Sequence, residues 1–330
     1  MFFKPDIIAL FVGSLLISGL LLYCAFFCVQ ILRDWDLNSG SERQLILERS
    51  TYLISTMVAY AFAFQLFSLF LFTYTADRLH PFFTGAMCAA GSLNADEYGY
   101  PVVILKVINF LLAGLWLIVN YTDNQGFDYP LIRKKYTLLL AITPLILAEA
   151  IIQGKYFLGL QPEIITSCCG ALFSSEGKTI ASELVALPRR PMELAFGASL
   201  AGTFAWGIHF YRTEKGGYFF SLTSLLTFLI SLASLISFIS IYIYELPTHH
   251  CPFCILQGEY NYVGYPIYLT LMTGAITGMG VGILMPFKQE ASLKDILPSI
   301  QKRLALLSLC SYASFIFIVC YQIASSSLKT

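Results

Sequence analysis

Residues Phe219 to Tyr244 read FFSLTSLLTFLISLASLISFISIYIY, twenty-six consecutive residues without a charge. A helix rises 1.5 Å per residue, so about 20 apolar residues cross the ~30 Å hydrocarbon core of a bilayer. Inside that core every backbone N–H and C=O must be satisfied within the segment, which selects a helix. Barrel strands would be shorter and would alternate apolar with polar residues. Seven other stretches have the same character, at about 7–32, 52–74, 101–121, 136–153, 193–211, 265–286 and 304–324. The expected fold is all-α: a polytopic membrane protein of about eight transmembrane helices, with residues 1–330 forming a single integral membrane domain in a lipid bilayer.

Composition agrees. The chain is 57% hydrophobic and 12% charged, where soluble domains run at about 25% charged. Net charge is zero and no basic tract stands out, which argues against a nucleic-acid partner. The run from Ile7 to Leu32 is too long for the apolar core of a secretory signal, and no small-residue cleavage site follows. It is therefore expected to be a retained first helix.

Orientation follows from lysine and arginine. Arg33, Arg43, Arg49, Arg133, Lys134, Lys135, Arg212, Lys215, Lys288, Lys294, Lys302 and Arg303 fall in the odd-numbered loops. Lys4, Arg78, Lys155, Lys178, Arg189, Arg190 and Lys329 fall on the other side. Twelve against seven places the odd loops in the cytoplasm. The termini and the loops at about 75–100, 154–192 and 245–264 are then outside, and the expected location is a bacterial inner membrane with these loops facing the periplasm or exterior.

Those three loops carry the chemistry. His249-His250-Cys251-Pro252-Phe253-Cys254 lies in one, Cys168-Cys169 in another and Cys88 in the first. A Cys-x-x-Cys with its first sulfur at a helix start would favour the thiolate, and Pro252 suits a first helical position. Cys251 is then expected to attack and the more buried Cys254 to resolve, with His249 and His250 adding positive charge or moving a proton. Neighbouring thiols such as Cys168 and Cys169 form strained, reducible disulfides or bind soft metals. Pro162 is expected to open a short helix leading to them. The three loops are expected to meet and bring these sulfurs together.

Cys251-Pro-Phe-Cys254 resembles the redox motif of glutaredoxins. Its place beside an outer helix end is similar to the active site of the vitamin K epoxide reductase and DsbB membrane thiol oxidoreductases. The likeness covers four residues, and those families have a four-helix core. It implies that Cys251 and Cys254 form a dithiol couple exchanging electrons with a quinone and a second cysteine pair.

Three readings follow. The leading expectation is a membrane thiol–disulfide oxidoreductase in which Cys251, Cys254, Cys168 and Cys169 act on an extracytoplasmic, thioredoxin-like partner, with a quinone as acceptor or donor. The second is a soft-metal protein that binds copper, zinc or mercury through His249, His250, Cys251, Cys254, Cys168, Cys169 and Cys88, exchanging with a metallochaperone. The third is a structural subunit with loop-stapling disulfides. No haem-attachment motif is present, since Ile255 follows Cys254, and no nucleotide loop or hydrolase elbow appears.

Elsewhere, Glu149 is an intramembrane carboxylate expected to hold a proton or to pair with Lys106. Cys24, Cys28, Cys310 and Cys320 lie within helices, where packing is expected. Gly274, Gly278 and Gly282 recur every four residues and are expected to admit a close helix neighbour.

Overall fold

A computed structural model describes residues 4–36, 41–161, 164–166 and 189–328. The expected Cys168-Cys169 pair lies outside the described residues. Among them the structure is helical with no strand, the one β-bridge joining Thr84 to Ile165. Helices of at least 18 residues run over Pro5–Asp34 (α1), Glu42–Leu79 (α2), Gly99–Asp123 (α4), Ile132–Gly159 (α5), Arg189–Thr213 (α6), Gly217–Ser234 (α7), Gly264–Leu284 (α9) and Leu297–Ser325 (α10). A short helix, Ala89–Asn94 (α3), follows α2. A π-turn at Leu235–Ile239 joins α7 to Ser240–Tyr244 (α8) without breaking the apolar run.

Seven of the described helices are long and apolar enough to cross a membrane, so the protein is an all-α polytopic membrane protein. The expected eighth span forms the 25-residue helix α6, but its glycines, Ser199, Thr203 and His209 keep it below that composition. Helix α2 is longer than expected. Its 38 residues correspond to about 57 Å, well beyond a bilayer core.

The chain divides into two compact units. The first comprises Met1–Phe72, Glu97–Leu160 and Pro286–Pro298. Its core joins Leu21, Cys24 and Cys28 of α1 to Val58 and Phe62 of α2, Trp116 of α4 and Tyr136 and Leu139 of α5. Phe62 and Trp116 meet edge to face at 5.1 Å. Cys24 and Cys28 are buried packing residues, as expected.

Two buried ion pairs cross this unit. The expected Lys106–Glu149 pair forms, with Nζ 2.7 Å from Oε1. Glu149 Oε2 also accepts from Gln65 Nε2 and Asn109 Nδ2, each at 2.6 Å, and Lys106 Nζ donates to Ser68 Oγ at 2.6 Å. The second pair corrects an expectation. Lys135 is not a loop charge: it is fully buried on α5, with Nζ 2.6 Å from Asp123 Oδ2. Asp123 Oδ1 accepts the Leu131 N–H, so the same carboxylate ties down the turn that opens α5.

The second unit comprises Thr73–Asp96, Gln161–Met285 and Ser299–Thr330. The glycine stripe of α9 does admit neighbours: a Cβ on Gly278 would lie 2.1 Å from Ser224 Oγ of α7. Ser224 Oγ and Tyr312 Oη share a hydrogen bond of 3.0 Å, and Ser308 Oγ donates to Gly274 O at 2.8 Å. Small residues and short polar side chains thus supply the helix contacts that lipid-solvated apolar surfaces do not. Cys310 and Cys320 on α10 are exposed, contrary to the expected core packing, because they fall on its outer face.

Candidate functional site

The loops at one end of the second unit gather three cysteines. Helix α2 ends at Leu79 and a 3₁₀ turn covers His80–Phe82. Gly85 then adopts φ +88°, a left-handed conformation in which a Cβ would lie 2.3 Å from Thr166 O. That close approach lets the Thr166 N–H reach Thr84 O at 2.9 Å. Cys88 follows in extended backbone, immediately before α3.

The second loop starts where Glu245, at φ +56°, stops α8. Cys251 lies in irregular backbone just before a turn at Pro252 and Phe253, and only Cys254 opens a helix, a single 3₁₀ turn over Cys254–Leu256. The expected helix start at Cys251 is therefore not formed. Instead, side chains from the flanking helices hold the backbone. The Tyr244 hydroxyl donates to Cys251 O and the Tyr268 hydroxyl donates to Pro252 O at 2.7 Å. The Gln257 N–H closes the motif on Cys254 O at 3.0 Å.

One clamp joins the two loops. Gln257 Nε2 donates to Asp77 Oδ1 at 2.9 Å and to Met87 O at 3.0 Å, while the Ala89 N–H reaches Asp77 Oδ1 at 3.2 Å. Cys88 lies between Met87 and Ala89, so all these bonds fix its position against Cys251 and Cys254.

The sulfurs of Cys88, Cys251 and Cys254 lie within 4.8 Å of one another, and those of Cys88 and Cys251 are 3.6 Å apart. A disulfide would need about 2.05 Å. Cys88 and Cys251 are 0% exposed and Cys254 is 4% exposed, so the expected order of burial within Cys251–Cys254 is reversed. The wall around them is apolar and aromatic, built from Ala90, Tyr244 and Ile255 with Phe253, Tyr260 and Tyr268 packed outside.

The histidines stand beside this group rather than in it. His250 Nδ1 is 3.0 Å from Ile236 O, and the His249 ring packs against Tyr244 at 4.2 Å. Burial holds the His249 imidazole below its ordinary value of 6.5, opposed by Cys88 and reinforced by His250. It is thereby biased towards the neutral form.

Three soft ligands so placed suit one soft ion. An ion bound to three sulfurs at about 2.3 Å sets them about 4.0 Å apart. The Cys88–Cys251 separation of 3.6 Å lies just below that value and all three sulfurs lie within 4.8 Å, so small side-chain adjustments would complete the triangle. Sequence reasoning grouped Cys88 with Cys251 and Cys254 but missed the Asp77–Gln257 clamp, because neither residue belongs to a motif. No family model, curated protein or solved structure matches this chain.

Proposed function

We propose that this membrane protein binds a soft metal ion of the Cu(I) class through Cys88, Cys251 and Cys254, for transfer or transport. The observation that carries this reading is the convergence of three buried sulfurs within 4.8 Å. Thiolates select soft ions, and the three sulfurs gathered among the described residues form a donor set that suits Cu(I). Metal binding would release thiol protons. With α6 counted as a crossing helix, the charge bias keeps its direction without Lys135, which supports thiol loops on the non-cytoplasmic side.

A second reading is thiol–disulfide exchange, favoured by the 3.6 Å approach of Cys88 to Cys251. Burial of all three sulfurs weighs against it, because a partner's disulfide must reach the attacking thiol.

The deciding experiment is anaerobic purification, metal analysis and a thiol count with and without reductant. One soft ion per chain, lost in Cys88→Ser, is the expected result. A reversible disulfide in metal-free protein would replace this reading with the redox one.

A further inference from the structure

A cavity of about 380 Å³ opens in the first unit, within the size range of small-molecule sites. It lies where α1 ends at Asp34 and α5 begins at Ile132, the termini of two membrane-crossing helices. This is the depth of lipid headgroups, where tryptophan and tyrosine concentrate.

Three aromatic residues line it: Trp35, Tyr129 and Phe287. Trp35 is 4% exposed, and its indole N–H is buried with no hydrogen-bond partner among the described residues. A buried donor left unpaired costs about 1–3 kcal/mol. An acceptor brought by a ligand would remove that cost. Arg133 Nη2 donates to Trp35 O at 3.0 Å, which holds the guanidinium against the same wall.

The charges of the lining are balanced. Arg133 and Lys134 are positive, and Asp36 and Glu290 are negative. A purely anionic ligand would meet two carboxylates, and a purely cationic one would meet two cations. A group carrying both charges meets a complement for each. Aromatic rings add attraction for an ammonium, and Arg133 with the indole N–H suits a phosphate.

We propose that this cavity binds the headgroup of a zwitterionic phospholipid of the ethanolamine class. The phosphate lies towards Arg133, Lys134 and the Trp35 indole, and the ammonium lies towards Asp36, Glu290 and the rings of Tyr129 and Phe287. The site is independent of the thiol cluster, so either reading can fail alone.

Native mass spectrometry of the detergent-purified full chain tests it, with phosphatidylethanolamine, phosphatidylglycerol or free phosphoethanolamine added. One phosphatidylethanolamine per chain should be retained, about tenfold more tightly than phosphatidylglycerol. Joint Arg133→Gln and Lys134→Gln substitution should weaken retention about tenfold. Glu290→Gln, which removes an exposed carboxylate and leaves the backbone bonds intact, should narrow the preference over phosphatidylglycerol. Equal retention of phosphatidylglycerol would overturn the zwitterionic assignment. Displacement by free phosphoethanolamine at equal concentration would overturn the lipid as source. Unchanged retention in the charge variants would overturn the cavity as the site.

Discussion

The sulfur of Cys88 lies 3.6 Å from that of Cys251, across 163 residues of sequence. Two loops with no shared motif therefore supply one thiol site, and the Asp77–Gln257 clamp sets their register.

If the three thiols act as one ligand set, single Ser substitutions at Cys88, Cys251 or Cys254 should have similar effects. Each should lower Cu(I) affinity by at least about tenfold, since each removes one of three bonds. Competition against a colorimetric Cu(I) chelator measures this. X-ray absorption should report about three sulfurs near 2.3 Å. Wild-type affinity in Cys88→Ser would limit the site to Cys251 and Cys254.

Gln257→Leu removes donors to Asp77 Oδ1 and Met87 O. Hydrogen bonds to charged groups contribute about 1.5–3 kcal/mol, so the first loop should loosen from the second. Oxidative cross-linking of Cys88 to Cys251, followed by peptide mass spectrometry, should become slower in the variant. An unchanged rate would mean that packing alone holds the loops together.

The Lys106–Glu149 pair gives a different test. Both side chains are buried, and each is held by further hydrogen bonds. Removing one partner leaves a buried charge, at a cost of about 3–5 kcal/mol. Lys106→Met or Glu149→Gln alone should therefore lower the thermal midpoint of the detergent-solubilised protein more than the two together. A double variant as unstable as the sum of the singles would show that the charges do not depend on one another.

His249 predicts a pH trend. Its folded-state value lies below the ordinary 6.5, so the unfolded chain binds the proton more readily. Its contribution to stability is fully present above about pH 6.5 and is lost as pH falls through the depressed folded value. Denaturation midpoints from pH 7.5 to 5 should fall less steeply in His249→Gln than in the wild type. Parallel curves would remove the histidine from this dependence.

The membrane spans were legible in the sequence because the bilayer imposes a local rule: an uncharged run such as Phe219–Tyr244 has few other folds open to it. The Cys251–Cys254 spacing was legible for the same reason, four adjacent residues being enough to define it. Whether a helix would follow Cys251 was not legible. Tyr244 and Tyr268, from the helices on either side, hold that backbone in turns. Lys135 shows the same limit, since a basic residue near a helix end reads as a loop charge until Asp123 is found 2.6 Å away. Glu149 could be singled out as a charge in an apolar run, but Gln65 and Asn109 reach it only through the rotation and depth of their own helices. Helix length and polarity are properties of contiguous residues and were determined by the sequence alone. The close approach of Cys88 to Cys251, the clamp and the further partners of the buried charges depend on contacts between distant segments, and only the tertiary structure decided them.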